Sequence, residues 1–390
     1  MAEIKNLKKL ANRISKAIAE KERIILYGDS DMDGACSVII LKEAICSLGG
    51  DSPIIYFSDR KREEHGINKK ALDFLKGKAP ALFLSLDCGI ANFREVELAK
   101  KLGFEVAIAD HHNIQGRIPK VRIVVNPKQG SKNSPFYHLA AAGIVFKLAE
   151  AILGRKLSKT LKEDMLALAA LATLAELVQE TGENQKILEQ GLPLLESSWR
   201  PAVRLFFSSS LTKNCISTRE IVWKVISIIN ITSKEGVFSE TYLFLNSQTP
   251  EEARLRFEEF LRKGVERQAK IGELTEELKK KVSFMEKDSA VIFEDLNDRQ
   301  FPILSAVASR ICDFFKKPTF IFTKEKGENW GGFRMPFEED GVGALASCRQ
   351  LLRRYGGHPA AGGFYFENKN KEKLKECLAK HFNKNLHKSV

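Results

Sequence analysis

The sequence predicts an α/β protein: an N-terminal doubly wound parallel sheet, joined by a long helix to a smaller α/β domain with a mixed sheet. Three observations carry this. Short apolar strands alternate with helical patterns from Ile24 to Val125, a long charged helical pattern follows Pro250, and a new series of strands and helices opens near Asp288. The expected domains are 1–195, holding the parallel sheet, 196–286, helical and ending in the connector, and 287–390, the smaller α/β domain.

Met1 to Glu20 places Ile4, Leu7, Leu10, Ala11, Ile14 and Ile18 at helical period, so this helix packs on the sheet. A strand, Ile24 to Tyr27, stops at Gly28, and a helix then runs to about Leu48, ended by Gly49-Gly50. Pro53 to Phe57 is a second strand, followed by a charged loop, Ser58 to Gly66, and a helix from about Asn68. Ala81 to Leu86, Phe104 to Ala109 and Arg122 to Val125 are further strands, with a helix at Asn92 to Leu102. Phe136 to Leu195 is helical, and within it Leu166 to Ala175 is apolar nearly all round, which predicts a buried helix. Residues 196–248 read as helical, with short extended pieces around Ile226 to Ile231. The connector helix follows, to about Met285. In the last domain we expect strands at Ala290 to Phe293, Thr319 to Phe322 and Trp330 to Arg334, and helices at Ser305 to Phe315 and Val342 to Tyr355. A lysine-rich helix closes the chain.

Composition narrows the class. With 390 residues, 44% apolar and 29% charged, the chain is of globular type. No apolar run approaches the ~20 residues of a membrane span, and the N-terminus lacks a signal-peptide core, so a cytoplasmic protein without a membrane partner is expected. The seven cysteines (Cys36, Cys46, Cys88, Cys215, Cys312, Cys348 and Cys377) form no CxxC pair and read as reduced core thiols. A net charge of +12 favours polyanionic partners, nucleic acid first among them.

Chemistry concentrates at strand ends. After the first strand, Asp29, Asp31 and Asp33 stand at alternate positions, and Gly34 closes the turn. Alternation turns such side chains to one side, at the carboxyl end of a strand where open α/β sheets place their sites. One aspartate serves as a helix cap; three exceed that need, and their mutual repulsion calls for a cation. Two later strands end in Asp87-Cys88-Gly89 and in Asp110-His111-His112-Asn113, and another ends in Asn126-Pro127. Oxygen ligands with a single imidazole suit Mn²⁺, with Mg²⁺ as the alternative. Two such ions about 3.5–4 Å apart, sharing one carboxylate, would activate water against a phosphoryl group. The chemistry expected is phosphodiester hydrolysis.

The stretches GDSDMDG, SLDCG, ADHHN and GGHPAAGGF, in this order, resemble the motifs of the DHH phosphoesterase family with its DHH-associated C-terminal domain. Within that family the similarity is to the single-strand-specific exonucleases. Supporting stretches are YGDSDMDG, NPK followed by HLAAAGIVFKLAEAI, GENQKILEQGL, and VASR, so the resemblance spans residues 22–366. It implies that Asp31 and Asp33 ligate different ions, that Asp87 bridges them, and that His111 completes the second ion's shell. Asp29 and Glu176 would be further ligands. Asp110 would orient a histidine, His112 would lie near the scissile phosphate, and His358 on its Gly356-Gly357 turn, with Arg334, would bind phosphate. Arg60, in the charged loop, is another candidate phosphate contact.

The sequence departs from the family at Glu176, where aspartate is usual, at His65, where tyrosine is usual, and around Asn230, where a Gly-Arg pair is missing. The added OB-type domain of longer relatives is expected to be absent. The resemblance implies stepwise hydrolysis of single-stranded nucleic acid in a cleft between the lobes, DNA favoured over RNA, from the 5′ end, releasing mononucleotides, in repair and recombination. Replication or repair proteins are the expected partners. A phosphodiesterase for short oligoribonucleotides or cyclic dinucleotides, and a degenerate replication-associated scaffold, are the alternatives.

Overall fold

The computed structural model describes residues 3–58, 66–114, 116–229, 233–284, 289–296, 301–325, 328–336 and 339–386. It divides into two compact units, Met1–Leu261 and Arg262–Val390.

The first unit begins with α1 (Leu7–Ala19), β1 (Ile24–Gly28), α2 (Met32–Ser47), β2 (Ile54–Phe57), α3 (Lys69–Leu75), β3 (Ala81–Leu86), α4 (Phe93–Lys101), β4 (Phe104–Ala109) and β5 (Ile123–Val125). The strands form one all-parallel sheet in the order β2-β1-β3-β4-β5. Alternate residues feed opposite faces: Ile24 and Leu26 of β1 enter one core, Ile25 and Tyr27 the other. β3 does the same with Leu82, Leu84 and Leu86 against Ala81 and Phe83. Helices therefore cover both sides, as parallel sheets require. The strand order turns at β1, with β2 to one side and β3 to the other, and this is the switch point where open α/β sheets bind ligands.

α2 is buried nearly throughout, and Val38, Ile39, Ile40 and Leu41 have no exposed surface. At about 1.5–3 kcal/mol for each fully buried aliphatic side chain, this helix anchors the turn that precedes it. Packed with it are α5 (Ala141–Leu153) and α6 (Lys159–Ala175), the latter buried from Asp164 to Leu174 as its apolar pattern predicts. α7 (Glu183–Glu196), α8 (Pro201–Ser208), α9 (Thr218–Ile229), the short ladder β6 (Lys234–Glu235) and β7 (Phe238–Ser239), and α10 (Glu240–Leu245) complete the unit. Their apolar residues, such as Phe206, Val225 and Phe244, join the core of α2 and α5.

The boundary between units falls inside α11 (Pro250–Phe284), whose Ala253, Phe257 and Phe260 pack in the first core and whose Ile271, Leu274 and Leu278 pack in the second unit. The second unit contains β8 (Ile292–Asp295), α12 (Phe301–Phe315), β9 (Thr319–Glu325), β10 (Glu328–Arg334), α13 (Gly341–Ser347), β11 (Leu352–His358), β12 (Ala361–Glu367) and α14 (Lys371–Leu386). Its sheet is mixed, β11-β12-β10-β9-β8, with only the β8–β9 pair parallel. Among the described residues no helix is long and apolar enough to cross a membrane.

Three expectations are corrected. The helix expected over Val342 to Tyr355 ends at Ser347, and residues 352–358 are strand β11. Its helix-forming LLRRY run is overridden by pairing with β12, and Gly357 turns there at φ +136°, where an added Cβ would meet the Gly362 Cα at 2.4 Å. The extended pieces expected near Ile226 are helical through Ile229, because Val222, Val225, Ile226 and Ile229 form one buried stripe; residues 230–232 lie outside the described set. Finally, Cys348 and Cys377 are joined in a disulfide rather than reduced, since the end of α13 brings Cys348 against α14.

Candidate metal centre

β1 ends at Gly28, which packs against Val38 and Phe57 and has no room for a side chain. The chain turns sharply, and a Cβ on Gly34 would lie 2.2 Å from the Asp29 carbonyl oxygen, so glycine is obligatory here. Each of the three aspartates is buried and engaged. Asp29 Oδ1 accepts from the Ser30 amide (2.6 Å) and the Ser58 hydroxyl (3.0 Å). Asp31 caps α2, accepting from the Gly34 amide at 3.1 Å. Both oxygens of Asp33 accept from the first amides of α5, Ala141 (2.8 Å) and Ala142 (2.7 Å), where the helix dipole favours an anion.

Asp87 follows β3 with φ +60°, a left-handed conformation that a non-glycine residue adopts at a cost. Its carboxylate is buried, and neither oxygen accepts a hydrogen bond among the described residues. His111 follows β4, and its Nε2 lies 3.3 Å from Asp87 Oδ1, 3.7 Å from Asp33 Oδ2 and 3.6 Å from Glu176 Oε1. Glu176 caps the C-terminus of α6. Three ligand sets result, each with its ligand atoms within 4.8 Å of one another: Asp29, Asp31 and Asp87; Asp33, His111 and Glu176; and Asp87, His111 and His112.

The electrostatics follow from burial. Burial, then the charges of Asp33 and Asp31, push Asp87 well above the ordinary carboxylate range. Burial also raises Asp33, to about 7, against the opposing pull of the α5 amides. A carboxylate cluster held at such cost, with Asp87 oxygens lacking donors, fits a divalent cation. Asp110 behaves in the opposite way. Burial would raise it, but His112 Nδ1 at 2.8 Å and the His112 amide at 3.0 Å hold it below the usual range. For His112, burial disfavours the charged ring, and Asp110 outweighs it, raising His112 to about 9. The other Asp110 oxygen accepts from the Ile90 amide at 3.0 Å, tying the loops after β3 and β4 together.

Sequence reasoning singled out Asn126 as a strand end without its role here, and did not assign Lys128, Ser58 or Ser239. Asn126 Nδ2 donates to the His112 carbonyl (3.0 Å) and Lys128 Nζ to the His111 carbonyl (2.5 Å), so the NPK stretch after β5 holds the histidine loop. Ser239 donates to the Ser30 carbonyl (2.7 Å) across 209 residues, a link with no local signal. Of the other candidates, Arg334, Gly356, Gly357 and His358 lie in the second unit, on β10 and β11. Arg334 is half-buried, donating to Ser305 of α12 and to the Phe333 carbonyl (2.9 Å). Arg60 and His65 lie outside the described residues.

The first unit is thus a doubly wound sheet with buried carboxylates after β1 and β3 and an Asp-His-His loop after β4. Residues 23–173 match the DHH family, N-terminal domain. Over most of its length the chain is similar to RecJ exonucleases. It is 31% identical over 96% of its length to the single-stranded-DNA-specific exonuclease RecJ of Bacillus subtilis, and 29% identical over 93% to that of Thermus thermophilus. These matches cover 48% and 52% of the relatives, so the chain spans about half their length. Among solved structures, exonuclease RecJ bound to manganese matches with a TM-score of 0.80 at 25% identity, covering 98% of this chain and 95% of the other. RecJ from Thermus thermophilus in complex with Mn²⁺ matches equally well, TM-score 0.80, over 98% of this chain and 55% of that one.

Proposed function

We propose that this chain is a metal-dependent exonuclease that hydrolyses single-stranded nucleic acid stepwise from the 5′ end, releasing mononucleotides, with DNA preferred to RNA. The observation that carries the reading is the pair of ligand sets meeting at Asp87 and His111, beside a buried carboxylate that accepts no hydrogen bond among the described residues. Asp29 and Asp31 would hold one divalent ion, Asp33, His111 and Glu176 the other, and Asp87 both, Mn²⁺ being favoured by the imidazole. When bound, such a pair activates water and neutralises charge on the phosphoryl group.

The chain's own residues supply the rest. Asp110 fixes the ring of His112 through Nδ1, so the other ring nitrogen would face a phosphoryl oxygen as the leaving group departs. Lys128 and Asn126 hold the carbonyls of His111 and His112 and so set where both rings point. Arg334 and His358, with Gly356 and Gly357 allowing close approach, would take substrate phosphate in the second unit, and Arg60 another. Repair or recombination in the cytoplasm, with replication or repair proteins as partners, is the setting this activity suits.

The test is degradation of 5′-labelled single-stranded DNA and RNA with Mn²⁺, Mg²⁺ or chelator, with Asp87→Ala as control. Metal-dependent release of labelled mononucleotide, lost in the variant, is the expected result. Equal cutting of duplex, or intact strands under every metal, would contradict the reading.

A further inference from the structure

On the sheet face of the second unit that carries Arg334 and His358, the row of Trp330, Tyr365 and Arg354 has no role assigned above. Strand alternation sends Phe364 and Phe366 of β12 into a core with Phe333 of β10, beneath α14. The opposite face carries α12, packed over β9 and β10, where Trp330 is partly buried against Ile303, Leu304 and their neighbours. Beyond Trp330 that same face is open. Directly opposite Trp330 stands Tyr365, 42% exposed, and opposite Tyr365 on the edge strand stands Arg354, also exposed. Residues paired directly across a ladder share a face, so these three form one row.

The next row on this face holds only glycines: Gly332, Gly363 and Gly356 are paired across β10, β12 and β11. A Cβ added to Gly356 would meet nothing within 4 Å, so the row is a bare backbone trough on its outer side. The row after that pairs Arg334, Ala361 and His358. From Tyr365 to Ala361 is four residues, about 13 Å along the strand, a span that a sugar-phosphate unit and its base can bridge.

An exposed tyrosine has no structural need to stand beside an arginine with no ion-pair partner among the described residues. Arg353, its neighbour, is different: it pairs with Glu367 at 2.9 Å and Glu328 at 3.3 Å and closes the far end of the face. The geometry points to a base-stacking subsite: we propose that Tyr365 stacks a nucleobase of the substrate strand while Arg354 takes an adjacent phosphate, the sugar-phosphate chain lying over the glycine row. Stacking on an aromatic face tolerates every base, and it discriminates against duplex because paired bases offer no free face. The inference rests on the proposed binding of single strands, and it adds to that reading the residue that would hold a base.

The test uses the full chain carrying Asp87→Ala, to prevent cleavage, and a single-stranded oligothymidylate with one 2-aminopurine. Tyr365→Ala is expected to weaken binding about tenfold and to abolish the stacking quench of 2-aminopurine, while Tyr365→Phe keeps both. Arg354→Ala is expected to weaken binding and reduce the slope of log affinity against log salt by about one. If the parent binds and Tyr365→Ala stays within twofold with its quench intact, the subsite is overturned while the nuclease reading stands. That would also be the result if the open edge of β11 served a protein strand instead. If the parent binds no single strand at all, the nuclease reading and the subsite fall together.

Discussion

Asp87 concentrates the conflict between stability and function. Its buried carboxylate feels the charges of four others, Asp33, Asp31, Glu176 and Asp29, and its backbone is left-handed. In metal-free protein this charge is a burden, because burial disfavours it and its neighbours repel it. Asp87→Asn should therefore raise the melting temperature of the metal-free protein by a few degrees, asparagine being tolerant of positive φ. Saturating Mn²⁺ should reverse the order, stabilising the parent and leaving the variant nearly unmoved. Differential scanning fluorimetry with and without chelator reads both effects, and a variant less stable than the parent in chelator would refute the argument. At Asp110 the proposed role is orientation of His112. Asp110→Asn keeps the shape but removes the charge facing His112, so kcat should fall about 100-fold with KM little changed, as steady-state kinetics would reveal. Asp29, Asp31, Asp33, Asp87 and His111 were legible in the sequence because they follow strand ends, whereas Glu176 caps α6 and was reached only through the resemblance. Lys128, Ser239 and the role of Asn126 were not legible, because these residues act through backbone carbonyls that any residue could supply.

Elements fix those residues, and helix pairing matters most. α2 begins at the acidic turn and α6 ends at Glu176, and the two pack together. Arg200 joins them from the start of α8, its Nη2 and Nε 2.6 and 2.9 Å from Asp164 and its guanidinium also on Glu43. Arg200 and Asp164 are almost wholly buried, so Arg200→Ala would leave a buried carboxylate unpaired at a cost of about 3–5 kcal/mol. Urea denaturation is expected to register that loss, and a change under 1 kcal/mol would mean that water replaces the guanidinium. At the opposite end of the sheet, Arg13 of α1 binds Glu105 of β4 at 2.8 Å and Glu22 at 2.6 Å. The hydrogen bond to Arg13 lowers the Glu105 pKa, so this stabilisation is complete above the unfolded value near 4.3 and is lost as pH falls through the lower folded value. With Glu105 35% exposed, Arg13→Ala should cost only about 0.5–1 kcal/mol at pH 7, and less below pH 4. The apolar periods of β1, β3, β4 and α6 made the first unit's sheet readable. β11 was misread because its residues favour a helix locally, and only the partner strand β12 decides otherwise. The disulfide was equally hidden, since Cys348 and Cys377 meet only through the packing of α13 on α14.

At the scale of the whole chain, the two units divide the chemistry. The first gathers carboxylates and histidines at the β1/β3 switch point, and the second displays arginines, a histidine and aromatic residues on a glycine-rich sheet. With a net charge of +12, strand binding should weaken steeply as salt rises. All of this depends on whether the buried ligand sets hold cations. Isothermal titration of the chelator-treated protein with Mn²⁺ tests that most directly. Two ions per chain, both lost or severely weakened in Asp87→Asn, is the result the account requires. A parent that takes up no Mn²⁺, or a variant that binds both ions as tightly as the parent, would contradict it.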